Sequence, residues 1–291
     1  DVIADRSRGL PVVDPNDREL IISCGAALDH LELALMIDRI KTEIHLLPFG
    51  NDSDRLAHVK IRSTHYHPLE EERQRFDAIK RRRTNRTVFE STRVPTDIRS
   101  LVSLDMKIEG VWSHFTDVVE EKERLTELVC EGDRIQAADR CFRRELAQWI
   151  HPNRSHSRDG MPGYAHGIGD LASNFGSFVV RTFDWGGGQA AKDRQLAEGS
   201  PLLLVIGTAG DEPADWIRCG QALSRALLRL ASAGLSASYL NQPMEVDSLR
   251  PRVAELLGYA GFPQLLLRIG YGNDVRATPR RPAREVIIDS V

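Results

Sequence analysis

The feature that most constrains this chain is a helix-like stretch that occurs twice. Residues 21–35 read IISCGAALDHLELAL and residues 216–230 read WIRCGQALSRALLRL. With Cys24 placed on Cys219, an offset of 195 positions, no gap is needed. Ile22 then falls on Ile217, Gly25 on Gly220, Leu28 on Leu223 and Leu33 on Leu228, and Pro48 falls on Pro243 in the same register. Apolar spacing alone is shared by many amphipathic helices. The Cys-Gly pair and the downstream proline in one register point instead to duplication. A repeat this widely separated implies a doubled half-domain, not a solenoid.

Composition narrows the class. Hydrophobic residues make up 41% and charged residues 28%, which suits a globular chain with ample material for a core. A net charge of −3 gives no global pull toward nucleic acid. No apolar run approaches the ~18 uninterrupted residues of a membrane span, and no signal-peptide core opens the chain. Cys24, Cys130, Cys141 and Cys219 form no C-x-x-C pair. They are expected to be reduced thiols, with Cys24 and Cys219 as small core residues on helices. The expected location is the cytoplasm.

Periodicity and turn residues predict helices over 17–39, 69–82, 118–150, 215–233 and 248–257, with a further helix opening at Pro95. Asp17 is a candidate N-cap and Gly234 a candidate C-cap. Strands are predicted over 42–47, 59–62, 107–115, 202–206, 236–240 and 265–269. Residues 151–169 are polar and glycine-rich, as in an exposed loop or a lid, and Trp185-Gly-Gly-Gly188 is a flexible point. The tail over 276–288 is expected to be extended. Helices alternating with short strands give an α+β layered fold, a central sheet with helices on its faces.

Three segments carry chemistry. Lys80-Arg-Arg-Arg-Thr-Asn-Arg-Thr87 closes a charged helix. It fits a solvated charge run, a nucleic-acid patch or an anion cradle. In the last, guanidinium forks and a threonine hydroxyl meet the oxygens of a phosphate monoester. Thr278-Pro-Arg-Arg-Pro282 holds Arg280 and Arg281 in an extended arm that could close on the same phosphate. In Gly234-Leu-Ser-Ala-Ser-Tyr-Leu-Asn-Gln-Pro-Met-Glu245 a strand ends at Asn241-Gln242, where Pro243 breaks the ladder. Backbone N–H groups there are free to face a ligand, or the segment is an ordinary strand-to-helix turn.

Together these residues resemble a known family. Arg-Arg-Thr-x-Arg after a helix, Cys219-Gly-Gln-Ala-Leu leading to Gly234-Leu-Ser-Ala-Ser, Pro263-Gln-Leu-Leu-Leu-Arg-Ile-Gly270 and Thr-Pro-Arg-Arg-Pro are similar to the flavin nitroreductase superfamily. The nearer resemblance is to its single-chain Acg-like branch, and it covers nearly the whole chain. The resemblance implies a nitroreductase-like fold with a central mixed sheet flanked by helices. Two fused halves would mimic a nitroreductase homodimer, and the repeated helices would be the paired interface helices of that dimer. Residues 1–67 would be a degenerate first half and residues 68–291 the second half.

The resemblance also implies site residues. Arg82, Arg83, Thr84 and Arg86 would hold the phosphate and ribityl of FMN, with Arg280, and Arg281 as a helper, closing on the phosphate. Tyr239, Leu240, Asn241 and Gln242 would lie against the isoalloxazine, with a backbone N–H at or near Gln242 facing flavin N5, the atom that accepts hydride. In the family a first-half segment with Pro-Ser, Asn and Gln-Pro-Trp contacts the flavin. This chain begins at Asp1 and shows none. The expectation is therefore a longer parent protein or a pocket short of one wall, and one flavin per chain, with the cradle from the second half and the facing wall from the first.

Other constellations are set against this. His65 with His67, and His151 with His156, lack a cysteine or carboxylate at metal-ligand spacing, so no metal site is expected. No nucleophile-elbow sequence is present. Gly186-Gly-Gly188 lacks the ending of a P-loop. The mixed-charge residues 118–124 read as a solvated helix face. The expected function is an FMN-binding oxidoreductase that uses NAD(P)H to reduce nitroaromatic or quinone-type acceptors by two electrons, with no catalytic side chain named. The alternatives are a non-catalytic protein that sequesters FMN under a lid, and a basic interaction module. The expected partner is a small-molecule electron acceptor, with no nucleic acid and no membrane, and the chain is expected to be a monomeric pseudo-dimer.

Overall fold

The computed structural model describes residues 1–51, 53–166, 173, 176–182 and 186–288. In chain order the elements are β1 (Val2–Ile3), α1 (Arg18–Ile37), β2 (Lys41–Leu46), β3 (Arg55–Ser63), α2 (Glu70–Arg81), α3 (Thr96–Asp105), β4 (Val111–Thr116), α4 (Val119–Ala138) and α5 (Arg140–Trp149). There follow β5 (Ile150–His151), β6 (Met161–Pro162), α6 (Gly176–Thr182), α7 (Gly186–Glu198), β7 (Leu202–Thr208), α8 (Pro213–Ser232), β8 (Ser236–Tyr239), α9 (Gln242–Glu245), α10 (Arg250–Leu257) and β9 (Phe262–Gly270).

A four-stranded sheet in the order β4-β7-β9-β8 organises the molecule. Its strands pair antiparallel throughout. The mixed character expected of the sheet is confined to one parallel bridge, Thr84 to Ala237, at its β8 edge. The apolar run of β7 is buried at every position, and strand alternation divides it between two cores. Leu202, Leu204 and Ile206 join the larger core with Leu265, Leu267 and Ile269 of β9 and the apolar faces of α1 and α8. Leu203, Val205 and Leu266 point the other way, onto Leu125, Leu128 and Val129 of α4 and Val253 of α10. The result is a helix–sheet–helix sandwich. A second, three-stranded antiparallel sheet, β1-β3-β2, lies in the N-terminal segment.

The twice-occurring helices are α1 and α8, and they pack on each other. Their crossing is set by glycine. A Cβ on Gly25 would sit 2.2 Å from the carbonyl oxygen of Ile217, and one on Gly220 would sit 2.0 Å from that of Ile22. Backbones this close leave no room for a side chain. The contact is reciprocal under the 195-residue offset: Asp29 accepts a hydrogen bond of 2.6 Å from Ser224, its own counterpart. Leu33 and Leu228, also counterparts, share a cluster with Ala78. Reciprocity of this kind is the geometry of a two-fold interface.

Several local expectations need correction. Asp17 precedes α1 in a left-handed conformation and its side chain caps nothing. Asp14 supplies the cap instead, accepting from the N–H groups of Glu19 and Leu20 at 3.1 and 2.9 Å. The helix expected over 118–150 is broken at Asp139, which takes extended angles and caps α5 by accepting from the Cys141 N–H at 2.7 Å. The flexible point expected at 185–188 is, from Gly186 on, the first turn of α7. Trp185 and residues 167–169 of the expected loop lie outside the described residues. Among the described residues α1 is the one helix long and apolar enough, by length and mean composition, to cross a membrane, although Asp29, His30 and Glu32 interrupt its apolar run. Its apolar residues Ile21, Ile22 and Leu28 are buried in the larger core.

The glycine crossing makes a direct prediction. Gly220→Ala should lower stability by about 2 kcal/mol or more, because overpacking here meets backbone rather than a yielding side chain. Gly187→Ala, where an added Cβ meets nothing within 4 Å among the described residues, should be neutral or slightly stabilising. Urea midpoints of the two variants check this; equal midpoints would show that the crossing is looser than described.

Candidate functional site

The arginine-bearing segment after α2 is strapped to the sheet edge. Thr84 bridges Ala237 of β8, and the Asn85 N–H donates to the Ala237 carbonyl at 3.1 Å. Asn85 is buried, and its side chain donates to the Asn273 carbonyl at 2.9 Å and accepts from Thr87. Behind the strap stands Arg268 of β9, only 1% exposed. Its guanidinium donates to the carbonyls of Asn85 and Thr87, each at 3.0 Å, and lies 4.2 Å from the centre of the Phe89 ring. Burial pulls its pKa down to about 10. A buried cation with carbonyl partners is costly to form and rigid once formed. It fixes the backbone from which Thr84 and Arg86 project.

In front of the strap is a cavity of about 470 Å³ whose lining includes Arg83, Thr84, Arg86, Lys192, Arg276 and Arg280. Among the described residues no aspartate or glutamate lines it. Among the described residues, Arg83, Arg86 and Arg280 have no carboxylate in ion-pair range; their hydrogen bonds go to the Arg82 carbonyl, the Met161 sulfur and groups of residues 278–279. Burial lowers the pKa of Arg86. Burial also lowers that of Arg82, and the nearby charges of Arg280 and Arg83 add to the effect. The two basic arms, some two hundred positions apart, therefore converge. Clustered guanidiniums with a threonine hydroxyl beside them suit a polyanion such as a phosphate monoester.

A second cavity of about 800 Å³ adjoins the first, and Arg86, Met161 and Lys192 line both. Its walls are largely apolar, with Ile22 of α1, Phe142 and Leu146 of α5, Val180 of α6, Leu223 of α8 and Leu265 of β9. The end of β8 and the start of α9 add Tyr239, Asn241 and Gln242. Asn241 is held by its Oδ1, which accepts from the Leu266 N–H at 3.1 Å, and by its Nδ2, which donates to Glu19 at 3.2 Å. Gln242 donates to Asp133 of α4 at 3.0 Å and to Asp193 of α7 at 2.8 Å. α4 approaches this turn closely, since a Cβ on Gly132 would lie 2.8 Å from the Gln242 Cβ.

The N-terminal segment supplies part of this cavity, through Glu19, Ile22 and Ser23 of α1. Over the site lie residues from the polar stretch after α5. Ile150 and Met161 border the larger cavity, and Gly160 and Tyr164 the cationic one. This cover is tied down by a 2.9 Å hydrogen bond from the Tyr164 hydroxyl to the Ala277 carbonyl, by Arg276 over the Tyr164 ring and by an ion pair between Arg8 and Asp159.

Of the residues expected from sequence, Arg83, Thr84, Arg86 and Arg280 share one cavity, and Arg86, Tyr239, Asn241 and Gln242 share the other. Arg82 lines a neighbouring groove with Arg83. Leu240 lies in the second core and borders neither cavity, because strand alternation turns it away from Tyr239. Arg281 borders neither cavity, and its charge is felt instead by Asp5. Sequence reasoning missed Arg268, Lys192, Glu19, Asp133 and Glu245. A lone arginine amid the Leu-Leu-Leu-Arg-Ile run was the available signal for Arg268; the others have none of that kind.

A family model described as the nitroreductase family matches residues 118–271, from the start of α4 through β9. The chain belongs to the nitroreductase family. It is 31% identical over 300 residues to the uncharacterized protein Rv3127 of Mycobacterium tuberculosis strain H37Rv, an alignment that covers 98% of this chain and 82% of that one. It is 28% identical over 296 residues to acg of the same strain, whose name assigns it provisionally to the NAD(P)H nitroreductases; 97% of this chain and 84% of acg are covered. Among solved structures, the FMN- and NADPH-dependent nitroreductase NfnB from sphigopyxis sp. strain HMH shares the fold, with a TM-score of 0.51 and 17% identity over 75% of this chain and 99% of that one. The chain is accordingly a nitroreductase-like oxidoreductase.

Arg268→Met should leave far-UV dichroism unchanged while costing about 2–3 kcal/mol, because two buried carbonyls lose their donor. Amide exchange of residues 84–88 should accelerate more than that of β7. Uniform acceleration would mean that Arg268 supports the fold at large and not the strap.

Proposed function

We propose that the chain binds FMN and catalyses NAD(P)H-dependent two-electron reduction of nitroaromatic or quinone-type acceptors. The observation that carries this reading is the continuity of a cationic cavity with a larger, mostly apolar one through the shared residues Arg86, Met161 and Lys192. A phosphate-bearing planar heterocycle has this distribution of charge and apolar surface. The larger cavity, at about 800 Å³, is within the range of roughly 300–1,000 Å³ typical of small-molecule sites.

The donor set fits the group. Arg83, Arg86 and Arg280 would hold the phosphate, with the Thr84 hydroxyl as a short neutral donor. Tyr239, Asn241 and Gln242 would flank the ring system. When bound, FMN supplies a site for reversible two-electron storage that no side chain offers. The chain's part is to hold the acceptor beside that site and keep water out. The apolar residues Ile22, Phe142, Leu146 and Leu223 serve both ends, and the Gln242 clamp between Asp133 and Asp193 keeps the turn at the cavity wall from drifting.

The anchored cover favours a second reading, in which FMN is sequestered without turnover. One experiment separates the two. The purified protein is expected to be yellow, and anaerobic NADPH should bleach it; a yellow protein that does not bleach supports sequestration. In Arg83→Ala combined with Arg280→Ala, FMN affinity should fall on the order of 10²-fold, since two charge-assisted contacts are lost. Stoichiometric FMN retained by that folded variant at micromolar protein would overturn the phosphate assignment.

A further inference from the structure

Reducing a quinone to a quinol forms two O–H bonds. One hydrogen arrives with the electron pair from the reduced cofactor, and the other must come as a proton. Most candidates bordering the larger cavity are poor donors. Guanidinium and ammonium groups are weak acids as a class, and burial raises the pKa of Tyr239. Three carboxyl groups border it among the described residues: Asp133 of α4, whose carboxylate is engaged by the Gln242 amide, and, sharing Arg18 and Asn241 as neighbours, Glu19 in the first turn of α1 and Glu245 at the end of α9.

These two groups are brought together by tertiary structure alone. Arg18 spans the gap, donating to the Glu19 carboxylate at 3.2 Å and to the Met244 carbonyl at 3.0 Å. Asn241 Nδ2 donates to the same Glu19 oxygen at 3.2 Å. Gln136 of α4 donates to Glu245 at 2.5 Å. Glu19 keeps 24% of its side-chain surface open, and it borders the cavity. Nearby, Asp133 is 3% exposed, lines the same cavity and, among the described residues, has no donor to its Oδ2. A buried polar atom of this kind calls for a partner. We propose that Glu19 and Glu245 act together as the proton donor to an acceptor oxygen in this cavity, an inference that rests on the oxidoreductase reading above.

The balance is simple. The acceptor takes an electron pair and one hydrogen from the reduced cofactor, whose own reductant is NAD(P)H. The glutamate pair gives one proton to the second oxygen and becomes more negative by one charge. Water then returns that proton to the pair. The electrostatics suit the role. Burial, and next the Glu245 charge, push the Glu19 pKa up to about 8 from 4.5; Arg18 opposes this and Asp14 adds to it. Burial likewise raises Glu245. Other groups facing the pair or its cavity are Asp133 on α4, Cys219 on α8 and Tyr239 on β8, all held toward their neutral forms by burial, together with the cations Arg86 and Lys192. At pH 7 the pair therefore retains a proton, and it titrates as a unit.

The sign for stability follows. The unfolded carboxyl loses its proton near 4.5 and the folded one near 8, so the protonated pair's contribution is complete below 4.5 and is lost as pH rises through about 8.

The test uses the FMN-loaded wild type, Glu19→Gln and Glu245→Gln. NADPH-reduced protein is mixed with a water-soluble quinone across pH 6–10 (a range chosen to bracket about 8), and infrared difference spectra are recorded on the same proteins. We expect quinone reduction by the wild type to fall as pH rises through the pair's titration. Each variant should be slower by at least about tenfold at pH 7 and lose that pH dependence. The protonated-carboxyl stretch seen in the wild type at pH 7 should weaken in Glu19→Gln. Variants that stay yellow and bleach with NADPH, yet keep the wild-type rate and pH profile, would overturn the proton-donor role alone. Loss of rate without loss of the infrared band or the pH dependence would assign these residues to packing and also overturn it. A colourless wild type would overturn the flavin reading and this proposal with it.

Discussion

The crossing of α1 and α8 is the constraint on which the rest of the molecule depends. Gly25 against the Ile217 carbonyl and Gly220 against the Ile22 carbonyl let two helices approach with no side chain between them. That approach carries the first turn of α1 to the end of β8, where Glu19 meets Asn241 and Arg18 meets Met244 and Gln264. Held farther away, α1 would leave the larger cavity open along the side now closed by Ile22 and Ser23. A packing detail at the helix crossing thus becomes the wall of a site.

On the opposite side of the sheet edge a second buried interaction does similar work. Arg268 reaches the Asn85 and Thr87 carbonyls from the interior of β9 and holds the strap that carries Thr84 and Arg86. Pinned backbone there removes much of the entropy cost of gathering long arginine side chains around an anion. The site is therefore assembled from rigid pieces: a glycine-packed helix pair, a buried arginine on a central strand, and a turn clamped by Asp133 and Asp193. Its cover is tied by contacts that include Tyr164 with Ala277 and Arg8 with Asp159.

What could be seen in the sequence was what is local. The doubled helix, the arginine-threonine run of residues 82–86 and the Arg280 arm are contiguous patterns, and the structure brings them together. Alternation along β8 and the residue that follows it explains why Tyr239 and Leu240, adjacent in sequence, part company, one to the cavity and one to the core. The break at Asp139 was hidden because helical spacing continues across it, and only the cap geometry ends α4. Glu19, Asp133 and Glu245 carried no local mark. Each is an ordinary acidic residue on a helix until the fold sets it beside the cavity, and chain separation of this order leaves no spacing to read.

Central to the proposed flavin site is a phosphate in the cationic cavity with the ring of the same molecule in its neighbour. Equilibrium titration of the protein with FMN and with riboflavin, which lacks the phosphate, tests this most directly. FMN affinity is expected to be on the order of 10²-fold or more above that of riboflavin, the equivalent of a few charge-assisted hydrogen bonds. Equal affinity for the two would contradict it.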